Sequence, residues 1–101
     1  MNNIEEFNYI NDLYDIYRNL FTDKQILIMD NYYKFNLSLS EISEELKISR
    51  SAVLDSINHC KEKLEEYESI LKLNEKHKNI KQILENSDIN DEIKKRIYKE
   101  F

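Results

Sequence analysis

The chain has no glycine and no proline among its 101 residues. At average usage, roughly a dozen of these two residues would be expected in a chain of this length. Phosphate-cradling loops, dinucleotide fingerprints and nucleophile elbows need glycine where the backbone approaches a ligand or takes positive φ, so these enzyme motifs are excluded. Tight hairpins also lose their preferred residues, and 35% of the side chains are charged. The composition therefore favours helices.

Length, cysteine content and hydropathy limit the class of protein further. A chain of this length predicts a single domain over residues 1–101. Cys60 is the only cysteine, so neither an intrachain disulfide nor a cysteine-rich zinc site can form. The first ten residues include Glu5 and Glu6, and no apolar run approaches about 18 residues, so we expect neither a secretory signal nor membrane insertion. These features predict a cytoplasmic location.

Apolar residues recur every three or four positions and are punctuated by helix-capping residues, which predicts an all-α bundle of five to six helices. The predicted helices run to about Phe21, from Thr22 to the region 34–37, from Leu39 to Leu46, from Ser49 to about Leu73, and as two short segments within 74–101. The last 28 residues hold seven basic and six acidic side chains, against eight and fourteen before them. Residues 74–101 are therefore treated as a C-terminal helical extension.

The fourth predicted helix carries a long apolar stripe. Its residues are Val53, Ile57, Cys60, Leu64, Tyr67 and Leu71. At roughly 1.5 Å per residue this helix is about 35 Å long, so other helices must cover the stripe. We expect the first helix to pack on it through Phe7, Tyr14 and Tyr17. The tyrosines and phenylalanines are accordingly interpreted as core, with base stacking by Tyr9, Tyr32 or Tyr67 as the alternative.

Residues 38–60 have the pattern of a helix-turn-helix. Ser38 and Glu41 form an S-x-x-E capping box that opens a helix of two turns. A short break follows, and Ser49 caps the next helix. The side chains expected to join the two helices are apolar or small: Ile42, Leu46, Ile48, Ala52, Val53 and Ile57. Two short capped helices in any all-helical domain could also give this pattern.

Two residues depart from the usual helix-turn-helix sequence. Ser43 stands where alanine is common at the closest approach of the helices, and Lys47 stands at the turn position that often takes glycine because φ is positive. The serine is tolerable if its hydroxyl bonds back to a carbonyl. A lysine at positive φ costs on the order of 1 kcal/mol. Neither departure is large enough to exclude the motif.

The segment LFTDKQILIMDNYYKFNLSLSEISEELKISRSAVLDSINHCKEKLEEYE resembles the promoter-reading helix-turn-helix domain of sigma factors. The shared pattern is L-T-x-x-Q, then L-S-x-x-E-I-A-x-x-L, then S-x-x-A-V. Within that group the chain is most similar to the small YlxM family of low-GC bacteria, over about residues 10–73. This resemblance implies a small all-helical protein encoded beside the protein component of the signal recognition particle. It also implies a role in, or regulation of, that particle's pathway.

If the second helix of the motif enters a DNA major groove, a defined set of side chains faces the nucleic acid. The candidate nucleic-acid-binding residues are Ser38, Ser40, Ser49, Arg50, Ser51, Leu54, Asp55, Asn58 and Lys61. Arg50 could bind guanine and Asn58 adenine, while Ser38 and Ser40 could hold a phosphate beside the helix amides. Leu54 could touch a thymine methyl or a partner protein, although a singly exposed leucine often has no role.

The charge of the chain opposes tight duplex binding. The formal net charge is −5, and Glu41, Glu44 and Glu45 lie beside the candidate recognition helix. Duplex affinity comes mostly from lysine and arginine neutralising phosphates, so we expect DNA to be bound weakly. RNA or a protein remains open as the ligand of the motif.

No other constellation in the sequence predicts chemistry. His59, Cys60 and Glu62 could suggest a metal site, but residues 59 and 60 point about 100° apart on a helix, and His77 lies in another segment. We therefore expect neither a metal nor a cofactor. No histidine has a nucleophile and an orienting acid at a recognisable spacing, so we do not expect an enzyme.

The sequence leaves three kinds of function. The first is a non-enzymatic accessory of the signal recognition particle pathway that acts on its RNA or its GTPase protein. The second is a DNA-binding transcription regulator, and the third is a structural dimerisation module. A homodimer is expected because the C-terminal half has more apolar residues than two short helices readily bury, namely Leu71, Ile80, Ile83, Ile89, Ile93, Ile97 and Phe101.

Overall fold

The computed structural model describes residues 2–101, which contain six α-helices and no strand. The all-α prediction is therefore confirmed. The helices are α1 (Asn3–Tyr17), α2 (Asp23–Tyr33), α3 (Leu39–Leu46), α4 (Arg50–Leu71), α5 (Leu73–Glu85) and α6 (Asp91–Tyr98), with a 3-10 turn at Arg18–Leu20.

The helices begin where the capping residues predict. The hydroxyl of Thr22 accepts from the backbone N–H of Gln25, and the Gln25 side chain accepts from the Thr22 N–H, which completes a capping box for α2. Ser38 opens α3 with a capping box completed by Glu41, and at the start of α4 the Ser49 hydroxyl accepts from the backbone N–H of Ala52. Each cap satisfies amides that would otherwise lack a partner, so the sequence positions of the helix starts follow from local chemistry.

The apolar stripe of α4 forms the centre of the core. Val53, Ile57, Cys60 and Leu64 are all buried, and α1, α2 and α3 pack around them. Leu71, predicted to extend this stripe, is exposed because α4 ends there.

The buried aromatic side chains belong mostly to α1 and α2. Tyr14, Tyr17 and Tyr33 are buried, and Phe7 lies with its ring centroid 4.8 Å from that of Tyr33. The interpretation of the aromatic residues as core is therefore confirmed for these positions. Phe7, Tyr14 and Tyr17 of α1 were expected to pack against α4. Phe7 and Tyr14 contact aromatic rings in and beside α2, while Tyr17 contacts the C-terminal part of α4.

A polar cluster fastens the end of α1 to α2. The hydroxyl of Tyr14 donates to Asp30 at 2.7 Å, and Arg18 forms a two-point ion pair with the same carboxylate. The bond from Arg18 holds the pKa of Asp30 below its usual range, with a further contribution from Tyr14. Helix α1 ends at Tyr17 rather than at the predicted Phe21, and Arg18–Leu20 form a 3-10 turn.

Helix α4 ends at Leu71, close to its predicted end at about Leu73, and is separated from α5 by Lys72. This residue takes a left-handed conformation, with φ 54° and ψ 30°, and offers no side-chain cap to α5. The carboxylate of Glu68 supplies the cap, accepting from the backbone N–H of Asn74 at 3.0 Å and of Glu75 at 3.1 Å. Tyr17 donates to the same carboxylate at 2.7 Å. Burial and this hydrogen bond raise the pKa of Tyr17.

Helices α5 and α6 form a C-terminal arm, defined as residues 73–101. Leu84 is buried within it but is not part of the main core. The ring of His77 stacks on Phe101 at 4.4 Å, and the Lys94 ammonium donates to the Ser87 carbonyl at 3.2 Å. Among the helices of residues 2–101, none combines the length and apolar character needed to cross a membrane.

Replacing Leu64 by aspartate should unfold the chain, because it places an unpaired charge in the α4 stripe. We expect a loss of more than about 3 kcal/mol in the free energy of unfolding, and a similar result for Ile57→Asp. The matched control is Ile70→Asp, since Ile70 lies on the same helix and is 70% exposed. Thermal unfolding, followed by circular dichroism, measures the stability of the three variants. A cooperative transition near the parent midpoint for Leu64→Asp would show that the stripe is not core.

Candidate nucleic-acid interface

Helices α3 and α4 form the predicted helix-turn-helix. They meet through the buried side chains of Ile42 on α3 and Val53 and Ile57 on α4, with Leu46 and Ile48 half-buried beside them. Ala52 was predicted to lie at the close approach of the two helices, but its side chain is exposed.

The turn between α3 and α4 depends on Ser43 and Lys47. Lys47 takes the left-handed conformation, with φ 56° and ψ 43°, as the sequence predicts for this position. The Ser43 carbonyl accepts from the backbone N–H groups of Lys47 and Ile48. The Ser43 hydroxyl donates to the Ile48 carbonyl at 2.6 Å. Both the carbonyl and the hydroxyl of Ser43 therefore bond to the backbone of the turn. These hydrogen bonds satisfy the partly buried hydroxyl and offset part of the backbone strain at Lys47.

The exposed side of α4 presents most of the predicted binding residues together. We call this set the recognition surface: Ser49, Arg50, Ser51, Leu54, Asp55 and Asn58, all of which are exposed. A shallow groove on this surface is lined by Leu39, Arg50, Ser51 and Leu54. The sequence analysis did not predict Leu39 at this place. Its signal was an apolar residue placed directly after the Ser38 cap. The groove joins the start of α3 to the start of α4.

The start of α3 is less suited to a phosphate than predicted. The Glu41 carboxylate accepts from the Ser38 backbone N–H at 3.0 Å, and Ser38 accepts from the Glu41 N–H at 3.1 Å. These hydrogen bonds to Ser38 lower the pKa of Glu41, so a negative charge already lies where an anion would bind. Ser40 is exposed beside it. The first turn of α4, by contrast, contains no acidic residue.

Lys61 does not belong to the recognition surface. Its ammonium lies 2.8 Å from the carboxylate of Glu6 on α1, and the side chain is half-buried. This ion pair lowers the pKa of Glu6. The lysine therefore joins α4 to α1, and its contribution to nucleic-acid binding stays a prediction.

The recognition surface lies among acidic side chains. Arg50 is its basic residue and Asp55 its acidic one. Glu62 and Glu65 follow Asn58 at four and seven positions, which places them on the same side of α4. The neighbouring α3 exposes Glu41, Glu44 and Glu45. Carboxylates at these positions weaken the electrostatic attraction of this surface for a phosphate backbone.

Cys60 and His59 have different environments. The Cys60 thiol is fully buried in the core, where burial raises its pKa to about 11, and the interpretation of this residue as core is confirmed. The side chain of His59 is exposed. Within residues 2–101, no three His, Cys, Asp or Glu side chains are grouped so that they could hold a metal ion.

The α3–turn–α4 unit packed on a helical core defines the chain as an all-α helix-turn-helix protein. The profile of the UPF0122 family matches residues 4–100, and the description of that family proposes a helix-turn-helix and calls its members YlxM / p13 like. The chain belongs to the UPF0122 family. The resemblance to YlxM proteins is thereby confirmed.

Relatives in several bacteria share much of the chain. A UPF0122 protein of Bacillus mycoides is 40% identical over 99 residues, which covers 90% of each sequence. One of Bacillus thuringiensis is 39% identical over the same length and coverage. The UPF0122 protein YofM of Lactococcus lactis is 46% identical over 70 residues, covering 69% of this chain and 63% of YofM.

Replacing Lys47 by glycine should stabilise the protein, because glycine takes positive φ without a Cβ clash. We expect the free energy of unfolding to rise by about 1 kcal/mol. Lys63→Gly is the control: the same exchange inside α4 should lower stability by about 1 kcal/mol. Urea denaturation measures both. Equal losses in the two variants would show that residue 47 does not occupy the left-handed region.

Proposed function

We propose that the protein is a non-enzymatic accessory of the signal recognition particle pathway, acting on the particle's GTPase protein or its RNA. The pathway comes from the resemblance to YlxM proteins. The observation that carries the choice of ligand is the charge of the helix-turn-helix: Arg50 is the basic residue of the recognition surface, whereas exposed carboxylates lie on both α3 and α4. Such a surface fits a basic partner, and an RNA-binding protein is basic where it meets its RNA.

The geometry of the recognition surface supports contact with a protein. Leu54 is 43% exposed and lies in the groove with Leu39, which gives an apolar centre. The groove is lined by Leu39, Arg50, Ser51 and Leu54, and exposed carboxylates farther out on α3 and α4 would form an acidic rim. An apolar centre with a polar rim is the arrangement found at protein interfaces. The apolar centre would supply affinity, and the rim would select for positive charge.

A DNA-binding regulator is the second candidate function. Its support is the geometry of the motif itself: α4 begins with Arg50 exposed at a helix start that has no acidic residue. This arrangement is suited to placing an arginine on a guanine edge in the major groove. The acidic surroundings oppose it, because a duplex needs several cationic contacts.

The first experiment measures binding to the purified signal recognition particle protein, with and without its RNA, by isothermal titration calorimetry. We expect binding that weakens about tenfold when Asp55→Asn, Glu62→Gln and Glu65→Gln are combined, because the rim loses its charge. Arg50→Ala should leave the affinity largely unchanged.

A control variant that loses the same number of charges distinguishes an effect of the acidic rim on binding from an effect of the net charge. The variant Asp12→Asn, Glu85→Gln, Glu100→Gln removes three exposed carboxylates from other parts of the chain. It should bind like the parent. Equal weakening by both triple variants would show that only net charge matters, and an absence of binding at tens of micromolar would contradict the proposal. Binding to the RNA alone that matches binding to the complex would assign the RNA as the ligand.

The second experiment tests duplex DNA by fluorescence anisotropy over a range of salt. We expect a Kd in the micromolar range or weaker for arbitrary duplex at physiological salt. Nanomolar, salt-sensitive and sequence-selective binding would establish the regulator instead. In that case Arg50→Ala should cost about 1 to 3 kcal/mol, whereas the exposed control Lys24→Ala should not change sequence selectivity.

A further inference from the structure

The protein exposes more surface than a monomer of its mass normally does. Its accessible surface is 7285 Å². A folded monomer of 12.3 kDa is expected to expose roughly 6,100 Å², so the excess is roughly 1,200 Å². The radius of gyration is 16.5 Å, against about 13 Å for a compact domain of this length. A standard interface buries about 800 Å² on each partner, so the excess is sufficient for one.

The arm contains a concentration of exposed apolar side chains. The arm residues with large exposed hydrophobic side chains are Leu73, Ile80, Ile83, Ile89, Ile93 and Phe101. The arm makes up less than a third of the chain but supplies six of the thirteen such residues in the described structure. Exposed apolar side chains gathered in one segment of a chain are candidates for a contact with another protein surface.

The charges of α6 are arranged so that two copies can complement each other. Asp91 and Glu92 lie in the first turn, and Lys95 and Arg96 lie in the last. Glu92 and Arg96 are four residues apart, so they share one side of the helix, beside Ile93. When two such helices run antiparallel about a two-fold axis, Glu92 of each faces Arg96 of the other. A two-fold contact requires this kind of self-complementary surface.

We propose that a second copy of this chain covers the arm, forming a two-fold dimer in which the two α6 helices pack antiparallel through Ile93. This contact is separate from the recognition surface on α3 and α4. Each dimer would therefore carry two recognition surfaces, and the dimer does not depend on which ligand those surfaces bind. The proposal goes beyond the proposed function, and it can fail without affecting that function.

Sedimentation equilibrium of the full chain at tens of micromolar tests the dimer. We expect the mass of two chains for the parent. Ile93→Glu should raise the dimer dissociation constant about a hundredfold, because two buried isoleucines become like charges. The matched control is Ile4→Glu, since Ile4 is 74% exposed on α1 and should leave the dimer unchanged. Circular dichroism checks that both variants remain helical.

Charge exchange then tests the antiparallel geometry. Glu92→Arg and Arg96→Glu should each weaken self-association about tenfold, because like charges face across the axis. A mixture of the two variants should form heterodimers as tightly as the parent, which an effect within one helix cannot produce. A monomeric parent, a dimer unaffected by Ile93→Glu, or a mixture without rescue would each overturn the proposal.

Discussion

Burial of one side of α4 is the interaction on which the rest of the structure depends. Three preceding helices cover the residues from Val53 to Leu64, and the aromatic side chains of α1 and α2 fill the remaining space. An isolated helix of this composition would be marginal in water, so tertiary packing supplies most of its stability. Because the same helix carries the recognition surface on its opposite side, the core also fixes the position of that surface.

Polar side chains join the helices at the places where a glycine-free chain must turn. Ser43 bonds to the turn at Lys47, and Glu68 caps α5 after the turn at Lys72. Both lysines adopt positive φ, which costs on the order of 1 kcal/mol each. The hydrogen bonds around them satisfy backbone amides and carbonyls that the turns expose. Tyr17 extends the second network from α1, so the direction of the C-terminal arm is linked to the core.

The fold separates two surfaces of different character. The recognition surface contains a groove lined by Leu39, Arg50, Ser51 and Leu54, with exposed carboxylates elsewhere on α3 and α4. The arm exposes isoleucines, and its α6 helix is acidic in the first turn and basic in the last. A helix-turn-helix with this charge is a scaffold for binding in general, and its family membership does not by itself identify the ligand.

The starts of the helices and the buried stripe of α4 were determined by the sequence, because caps and apolar periodicity act over a few neighbouring residues. The helix-turn-helix and the positive φ at Lys47 followed from the same local patterns. The pairing of Lys61 with Glu6 and the hydrogen bond from Tyr17 to Glu68 did not. Each depends on side chains far apart in the chain: Glu6 lies 55 residues before Lys61, and Tyr17 lies 51 residues before Glu68. Local spacing carries no information about such contacts, so only the tertiary structure decided which charged residues remain free to bind.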